Sequence, residues 1–224
     1  KVKHLLIAST SSVYGANKKL PFKETDKTET QLSFYAATKK STESIAHSYS
    51  SLWNLPITML RFFTVYGPWG RPDMALFKFT DAIVKGSPIT IYNHGKHRRD
   101  FTYVDDIVTS INKLLFIHAS SDEKFDTNDP NPSSSSAPWK IYNIGNSECI
   151  ELDDFITIIE DALNTKAKKT FLDFQLGDVE ASFASTEKLS QITNFKPYTP
   201  LNTGIKKFIE WYLDYYKIKG IKIS

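Results

Sequence analysis

A single cysteine, Cys149, stands among 224 residues. It excludes an internal disulfide and a thiolate metal cluster, and it fits a reducing, cytoplasmic setting. No apolar run approaches the roughly 20 residues that a membrane helix needs, so no membrane insertion is expected. The opening stretch KVKHLLIASTSS does not read as a signal peptide. An excess of one charge is missing too: 28 Lys and Arg against 25 Asp and Glu leave a formal +3, too little and too dispersed to argue for nucleic acid. The short basic clusters Lys166–Lys169 and Lys217–Lys222 lack an aromatic stacking platform and read as solvated faces. Among the five histidines only His94 and His97 are close, too few for a metal site. The nine glycines are scattered, so no glycine-rich phosphate-binding turn is present. What remains is ample for a buried core, with 41% hydrophobic residues. The exception is Asp122–Pro138, DEKFDTNDPNPSSSSAP, expected as a surface loop or disordered.

Apolar patterning then gives an alternation of strands and helices. Val2–Ala8 reads as a buried parallel strand closing on small polar residues. Ser33–Trp53 reads as a helix with Ile45, Tyr49, Leu52 and Trp53 at helical spacing. Ile57–Phe63 is a second strand around Arg61, and Tyr66–Pro72 a rigid loop. Asp73 is placed to cap a helix ending at Gly86, and Asp105 one with the stripe Ile107, Val108, Ile111, Leu114 and Leu115. Short strands are expected at Ile89–Tyr92, Asp100–Val104, Ile141–Ile144 and Thr170–Phe174, and further helices at Glu151–Leu163 and Leu201–Tyr216. Such alternation argues for an α/β fold.

Two features carry chemistry. In Tyr35-Ala36-Ala37-Thr38-Lys39 the Tyr and Lys lie four apart, on one helix face. A lysine charge beside a phenol favours the phenolate, which makes Tyr35 a usable general base. Taken alone, such a pair is common on amphipathic helices. The second feature is Ser9-Thr10-Ser11-Ser12, four hydroxyls at the carboxyl end of a parallel strand, where open α/β sheets bind ligands. These hydroxyls can bond a substrate oxygen and share a proton with the phenol.

Ala8-Ser9-Thr10-Ser11-Ser12-Val13-Tyr14-Gly15, then Tyr35-x-x-x-Lys39, then Arg61-Phe62-Phe63-Thr64-Val65-Tyr66-Gly67-Pro68 resemble the extended short-chain dehydrogenase/reductase family. Within it they resemble the sugar-nucleotide epimerases. The segment RFFTVYGPWGRPDMALFKF and the Pro/Ser-rich insert before IYNIGN are similar to the UDP-glucuronate 4-epimerases. The resemblance implies a partial Rossmann-like parallel sheet over residues 1–65 plus a smaller α/β substrate-binding region over 66–224, some of whose elements return to the first part. Family members begin with a glycine-rich dinucleotide turn, and this chain has none. The expectation is therefore that roughly one hundred residues, a small domain's worth, precede Lys1 in a complete enzyme, and that the chain alone holds NAD poorly and is inactive.

The resemblance implies roles for individual residues. Tyr35 would take the proton of the sugar 4-hydroxyl, Lys39 would support the phenolate and bind the nicotinamide ribose, and Thr10, assisted by Ser12, would be the catalytic hydroxyl. Ser9, Phe62 and Val65 would lie on the cofactor side. The implied substrate is UDP-glucuronate, epimerised at C4 through a 4-keto sugar. Arg71 would meet its carboxylate, with Ser11, Ser12 and Thr64 donating hydrogen bonds. Arg99 would meet the diphosphate, Tyr92 the uracil, and Gln175 and Asp178 the uridine ribose. Leu176 stands where the family more often has Pro. The alternatives are that Arg71 only braces its loop, that Arg98–Arg99 is a solvated pair and that Tyr92 is core. A homodimer is implied through the Ser33–Trp53 helix. The rival readings are a decarboxylase on the same substrate, a dehydratase, and a non-catalytic sugar-nucleotide-binding remnant. Elimination wants a carboxylate pair where this chain has Thr10-Ser11-Ser12.

Overall fold

The structure, a computed structural model, describes residues 2–175, 177–221 and 223. Leu176 and the Lys222 end of the second basic cluster lie outside the described residues. The first elements are β1 (Leu5–Thr10), α1 (Phe34–Trp53), β2 (Ile57–Phe62) and β3 (Thr64–Tyr66). Next come α2 (Ala75–Val84), β4 (Pro88–Ile91), β5 (Arg98–Arg99), β6 (Phe101–Tyr103) and α3 (Val104–Leu115). The chain continues with β7 (Trp139–Ile144), β8 (Ile150–Glu151), α4 (Leu152–Leu163) and β9 (Lys168–Phe171). It ends with β10 (Ala181–Ser182), α5 (Glu187–Thr193) and α6 (Leu201–Tyr215). The architecture is α/β, as the alternation of patterns implies.

β1, β2 and β7 form a parallel sheet in the order β1-β2-β7. The register sets Ser9 beside Arg61 and Thr10 beside Phe62, so the carboxyl ends of β1 and β2 share one edge. Smaller sheets, β10-β5-β8, β3-β6 and β4-β9, lie beyond it. β3 pairs with β6 in parallel and carries the chain from the end of β2 past that edge.

The largest apolar cluster lies among α2, α4, α6, β4 and β6, where Phe101 stacks on Phe155 with ring centroids 4.1 Å apart. Its α4 and α6 stripes are Phe155, Ile156 and Ile159 with Ile205, Phe208 and Ile209, on the two helices expected at Glu151–Leu163 and Leu201–Tyr216. Smaller clusters flank the three-stranded sheet. No helix among the described residues is long and apolar enough to cross a membrane.

Several local expectations are corrected. β1 is shifted toward its polar end, so Ser9 and Thr10 are still strand while Ser11–Tyr14 winds into a 3-10 turn. Asp73 does not cap α2: Met74 stands at the cap without a side-chain bond, and Asp73 is paired with Arg71 instead. Asp105 lies in the first turn of α3, behind the cap position Tyr103, where a carboxylate still complements the helix dipole.

The apolar spacing on α1 marks the outer face. Ile45 and Trp53 are 58% and 61% exposed, and Tyr49 and Leu52 are exposed with them, whereas Ala36, Glu43, Ala46 and Ser50 face inward. The Pro/Ser-rich stretch is anchored at its end. Ser133–Ser135 are buried, Ser135 Oγ meets the His47 ring at 2.8 Å, and Lys188 donates to Ser133 Oγ. Composition reads serine as solvated, but hydroxyls with partners are buried without penalty.

Candidate active site

The carboxyl ends of β1 and β2, the first turns of α1 and the loop after β3 enclose a cleft of about 650 Å³. Ser33 caps α1 by accepting the Ala36 amide hydrogen at 3.1 Å, which starts the helix where Tyr35 and Lys39 both reach the cleft. Thr10, Ser11, Ser12, Phe62, Thr64, Val65 and Arg71 line it with them. Nine of the residues singled out in the sequence thus converge from five segments. Thr10 accepts the Ser12 amide hydrogen and donates to Ser12 Oγ, both at 3.2 Å, so the hydroxyl turn is internally braced. Lys39 Nζ donates to the Ala8 carbonyl at 3.3 Å. Tyr35 is 52% exposed, and its hydroxyl has no hydrogen-bond partner among the described residues. Ser9 also lines the cleft, but its hydroxyl points its proton inward, to Glu43 at 2.6 Å.

Arg71 is largely exposed and already grips a carboxylate, that of Asp73, through Nε at 3.0 Å and a second nitrogen at 2.5 Å. It lies within electrostatic reach of Tyr35. Pro68 and Trp69 on the same rigid loop line the cleft too, and Trp69 takes a left-handed backbone (φ 63°).

A smaller cavity of about 160 Å³ shares Ser11, Ser12 and Thr64 with the cleft and adds Arg99 and Asp178. Arg99 donates to Asp178 at 2.6 Å. Burial lowers the Arg99 guanidinium from its ordinary value, against the pull of Asp178. His97, which sequence reasoning set aside, is buried with Nε2 3.3 Å from the other Asp178 oxygen. His94 pairs separately with Asp173, so the two histidines do not converge. Tyr92 and Gln175 line neither cavity: Tyr92 sits on the turn after β4, and Gln175 is exposed in the loop before Asp178.

Sequence reasoning also missed a buried charge network behind the cleft. Arg61 is fully buried and donates to both Glu43 oxygens at 2.9 Å. Tyr14 lies with its ring 4.8 Å from the guanidinium and donates to Asn143 at 2.7 Å. Burial pushes the Tyr14 phenol up to about 12, with Arg61 opposing, so it stays a proton donor. Burial would raise the Glu43 carboxyl, but the Arg61 bonds and charge and the Ser9 hydroxyl outweigh it and hold Glu43 below the ordinary range. Glu43 lies eight residues after Tyr35 on the helix, a spacing that was available as a signal.

A cleft at the carboxyl end of parallel strands, lined by a Tyr-x-x-x-Lys helix and a hydroxyl turn, is the place where open α/β folds bind their ligands. Residues 1–128 match the NAD dependent epimerase/dehydratase family, and the chain belongs to that family. It is 53% identical over 216 residues to Protein CapI of Staphylococcus aureus, covering 96% of this chain and 65% of the relative. It is 47% identical over 216 residues to a probable UDP-glucuronate 4-epimerase of Rhizobium meliloti (strain 1021), covering 96% and 63%. Among solved structures it resembles the UDP-glucuronic acid 4-epimerase of Bacillus cereus in complex with UDP-glucuronic acid and NAD. The TM-score is 0.83 at 31% identity, over 96% of this chain and 63% of that one. The chain thus spans slightly less than two thirds of the length of these relatives.

Proposed function

We propose that this chain carries the catalytic and substrate-binding residues of an NAD-dependent enzyme that epimerises UDP-glucuronate at C4 to UDP-galacturonate. Residues 1–65 form the end of its NAD-binding domain and residues 66–224 mainly its substrate region. The observation that carries the reading is the convergence of Tyr35, Lys39 and the Thr10–Ser12 hydroxyls on one cleft that also holds Arg71. The similarity to UDP-glucuronate 4-epimerases supports the choice of substrate.

The residues fit a nicotinamide cofactor: Lys39, with a single carbonyl partner, has N–H donors to offer a ribose, and Phe62 and Val65 give the cleft an apolar wall. A bound NAD⁺ would supply the hydride chemistry at C4. Tyr35 takes the 4-hydroxyl proton as C4 becomes a ketone and gives it back on reduction. Thr10 and Ser12 hold the 4-oxygen and relay its proton. Inversion requires the keto sugar to turn within the cleft, so its anchors must lie at the far end. Arg99 supplies one, at the diphosphate, and Asp178 accepts from the ribose hydroxyls. Arg71 receives the hexuronate carboxylate, exchanging it for that of Asp73.

The homodimer is part of the same proposal, through the exposed Ile45, Tyr49, Leu52 and Trp53 face of α1. A contiguous apolar helix face of this kind marks an interface. Sedimentation of the whole protein as a monomer at micromolar concentration would contradict it. A cytoplasmic setting, where a free thiol such as Cys149 persists, completes the proposal.

The test is to give the whole protein NAD⁺ and UDP-glucuronate and identify the product by proton NMR. UDP-galacturonate is expected. A UDP-pentose with released CO₂ would assign decarboxylation instead, and UDP binding without turnover would assign a binding remnant.

A further inference from the structure

Tyr35, Lys39 and Glu43 follow one another at four-residue intervals on α1 and share a face. Their surroundings differ sharply. Tyr35 and Lys39 look into the cleft, whereas Glu43 is 1% exposed and meets a fully buried arginine. We propose that the Glu43–Arg61 pair is a positioning device for the catalytic site: it locks α1 against the ends of β1 and β2 and so sets Tyr35 and Lys39 relative to the Thr10–Ser12 hydroxyls. The inference rests on the epimerase reading of the cleft.

The contacts that α1 makes through Ala36 and Ala46 are apolar and small, and such contacts are not directional. A helix held by them alone can slide or roll on the sheet. The Glu43 carboxylate removes that freedom. One oxygen accepts from Arg61 Nε on β2 at 2.9 Å and from Ser9 Oγ on β1 at 2.6 Å, and the other accepts from a second Arg61 nitrogen at 2.9 Å. A two-point fork fixes angle as well as distance. The bracing extends across the sheet, because Tyr14 packs on the Arg61 guanidinium and bonds Asn143 on β7.

The lock is also next to the chemistry. Ser9 directly precedes Thr10, and Lys39, one turn before Glu43, bonds the Ala8 carbonyl on the same strand. Stability alone is a poor reason for such a pair, since apolar residues of similar volume commonly replace a buried ion pair at no loss. Rate, by contrast, is sensitive to placement, and a misplacement of about 1 Å costs on the order of 100-fold.

Two variants of the whole protein test this, with UDP-glucuronate and NAD⁺. Arg61→Lys keeps the charge but removes the fork. Glu43→Leu combined with Arg61→Met replaces the pair by apolar volume and leaves no buried charge behind. In both, kcat is expected to fall by about tenfold to 100-fold, while KM for UDP-glucuronate and the affinity for UDP stay within about twofold, as expected when only transition-state geometry is lost. The melting temperature of the double variant is expected to stay near that of the wild type. A kcat within twofold of wild type in Arg61→Lys overturns the proposal, as does a double variant that melts like wild type and turns over like it. A wild type that binds UDP yet shows no turnover overturns the epimerase reading itself, which separates the two failures.

Discussion

The two ends of the cleft treat their polar groups in opposite ways. At the Tyr35 end the reacting groups are left open: the phenol has no hydrogen-bond partner among the described residues and Lys39 has one long contact. At the Arg99 end the charge is already matched: Arg99 donates to Asp178, and the buried His97 ring lies 3.3 Å from the other Asp178 oxygen. A group that must change protonation during turnover gains from being uncommitted. A group proposed to bind an anion is here held in place by a carboxylate. Arg71, paired with the exposed Asp73, follows the second pattern although it lies in the first cavity. In the proposed reaction this separates the residues assigned to C4 from those assigned to the nucleotide and the hexuronate carboxylate.

The largest expected effect tests the open end. Tyr35→Phe removes the ionisable oxygen and keeps the ring, so turnover should fall by about 10²–10⁴-fold with UDP affinity unchanged in calorimetry. A Tyr35→Phe enzyme with near-normal turnover would break the contrast. The paired end responds differently. Arg99→Met deletes a charge-assisted contact of roughly 1.5–3 kcal/mol, so the Kd for UDP should rise about tenfold to 100-fold, leaving kcat at saturation within a few-fold.

Acid sharpens the comparison with the buried pair behind the cleft. The Glu43 carboxyl is held below its unfolded value, so its contribution to stability is full above the ordinary carboxylate range and is lost as pH falls through the lower folded value. Glu24 and Asp100, raised by burial, act in the opposite sense: their contribution is lost as pH rises through their raised values. Melting curves between about pH 7 and pH 3 should therefore fall less steeply at the acid end in the Glu43→Leu/Arg61→Met variant than in the wild type. Equal slopes would show that Glu43 does not carry the acid limb. The smallest effect is expected of Asp73→Asn, which frees Arg71 and should lower KM for UDP-glucuronate a few-fold with no change for UDP alone.

The site was more legible than its support. Tyr35 and Lys39 announce themselves by helical spacing, and Ser9–Ser12 by four hydroxyls closing an apolar strand, because both patterns are local. Their convergence with Thr64 and Arg71 follows from the parallel order of β1 and β2. Apolar patterning places Arg61 inside a strand but gives it no partner and does not single out Glu43, since a charge is normally solvated and only tertiary pairing buries it. The same limit misled the reading of α1. Ile45, Tyr49, Leu52 and Trp53 have the period of a core stripe, yet the sheet meets the small-residue face, where a close approach is possible. At the serine tract, composition argued for solvation while local turns and the His47 and Lys188 contacts bury it. Tyr92 and Gln175 came from the resemblance alone, and neither lines the cleft or the adjoining cavity.

The central claim is that this cleft oxidises and re-reduces C4 while Tyr35 manages the proton. The most direct measurement uses UDP-glucuronate deuterated at C4, turned over by the whole protein with NAD⁺ in ordinary water. Hydride removal and return predict UDP-galacturonate that keeps the deuterium at C4, with no exchange into solvent. UDP-galacturonate carrying solvent hydrogen at C4, or loss of the carboxylate as CO₂, would contradict it.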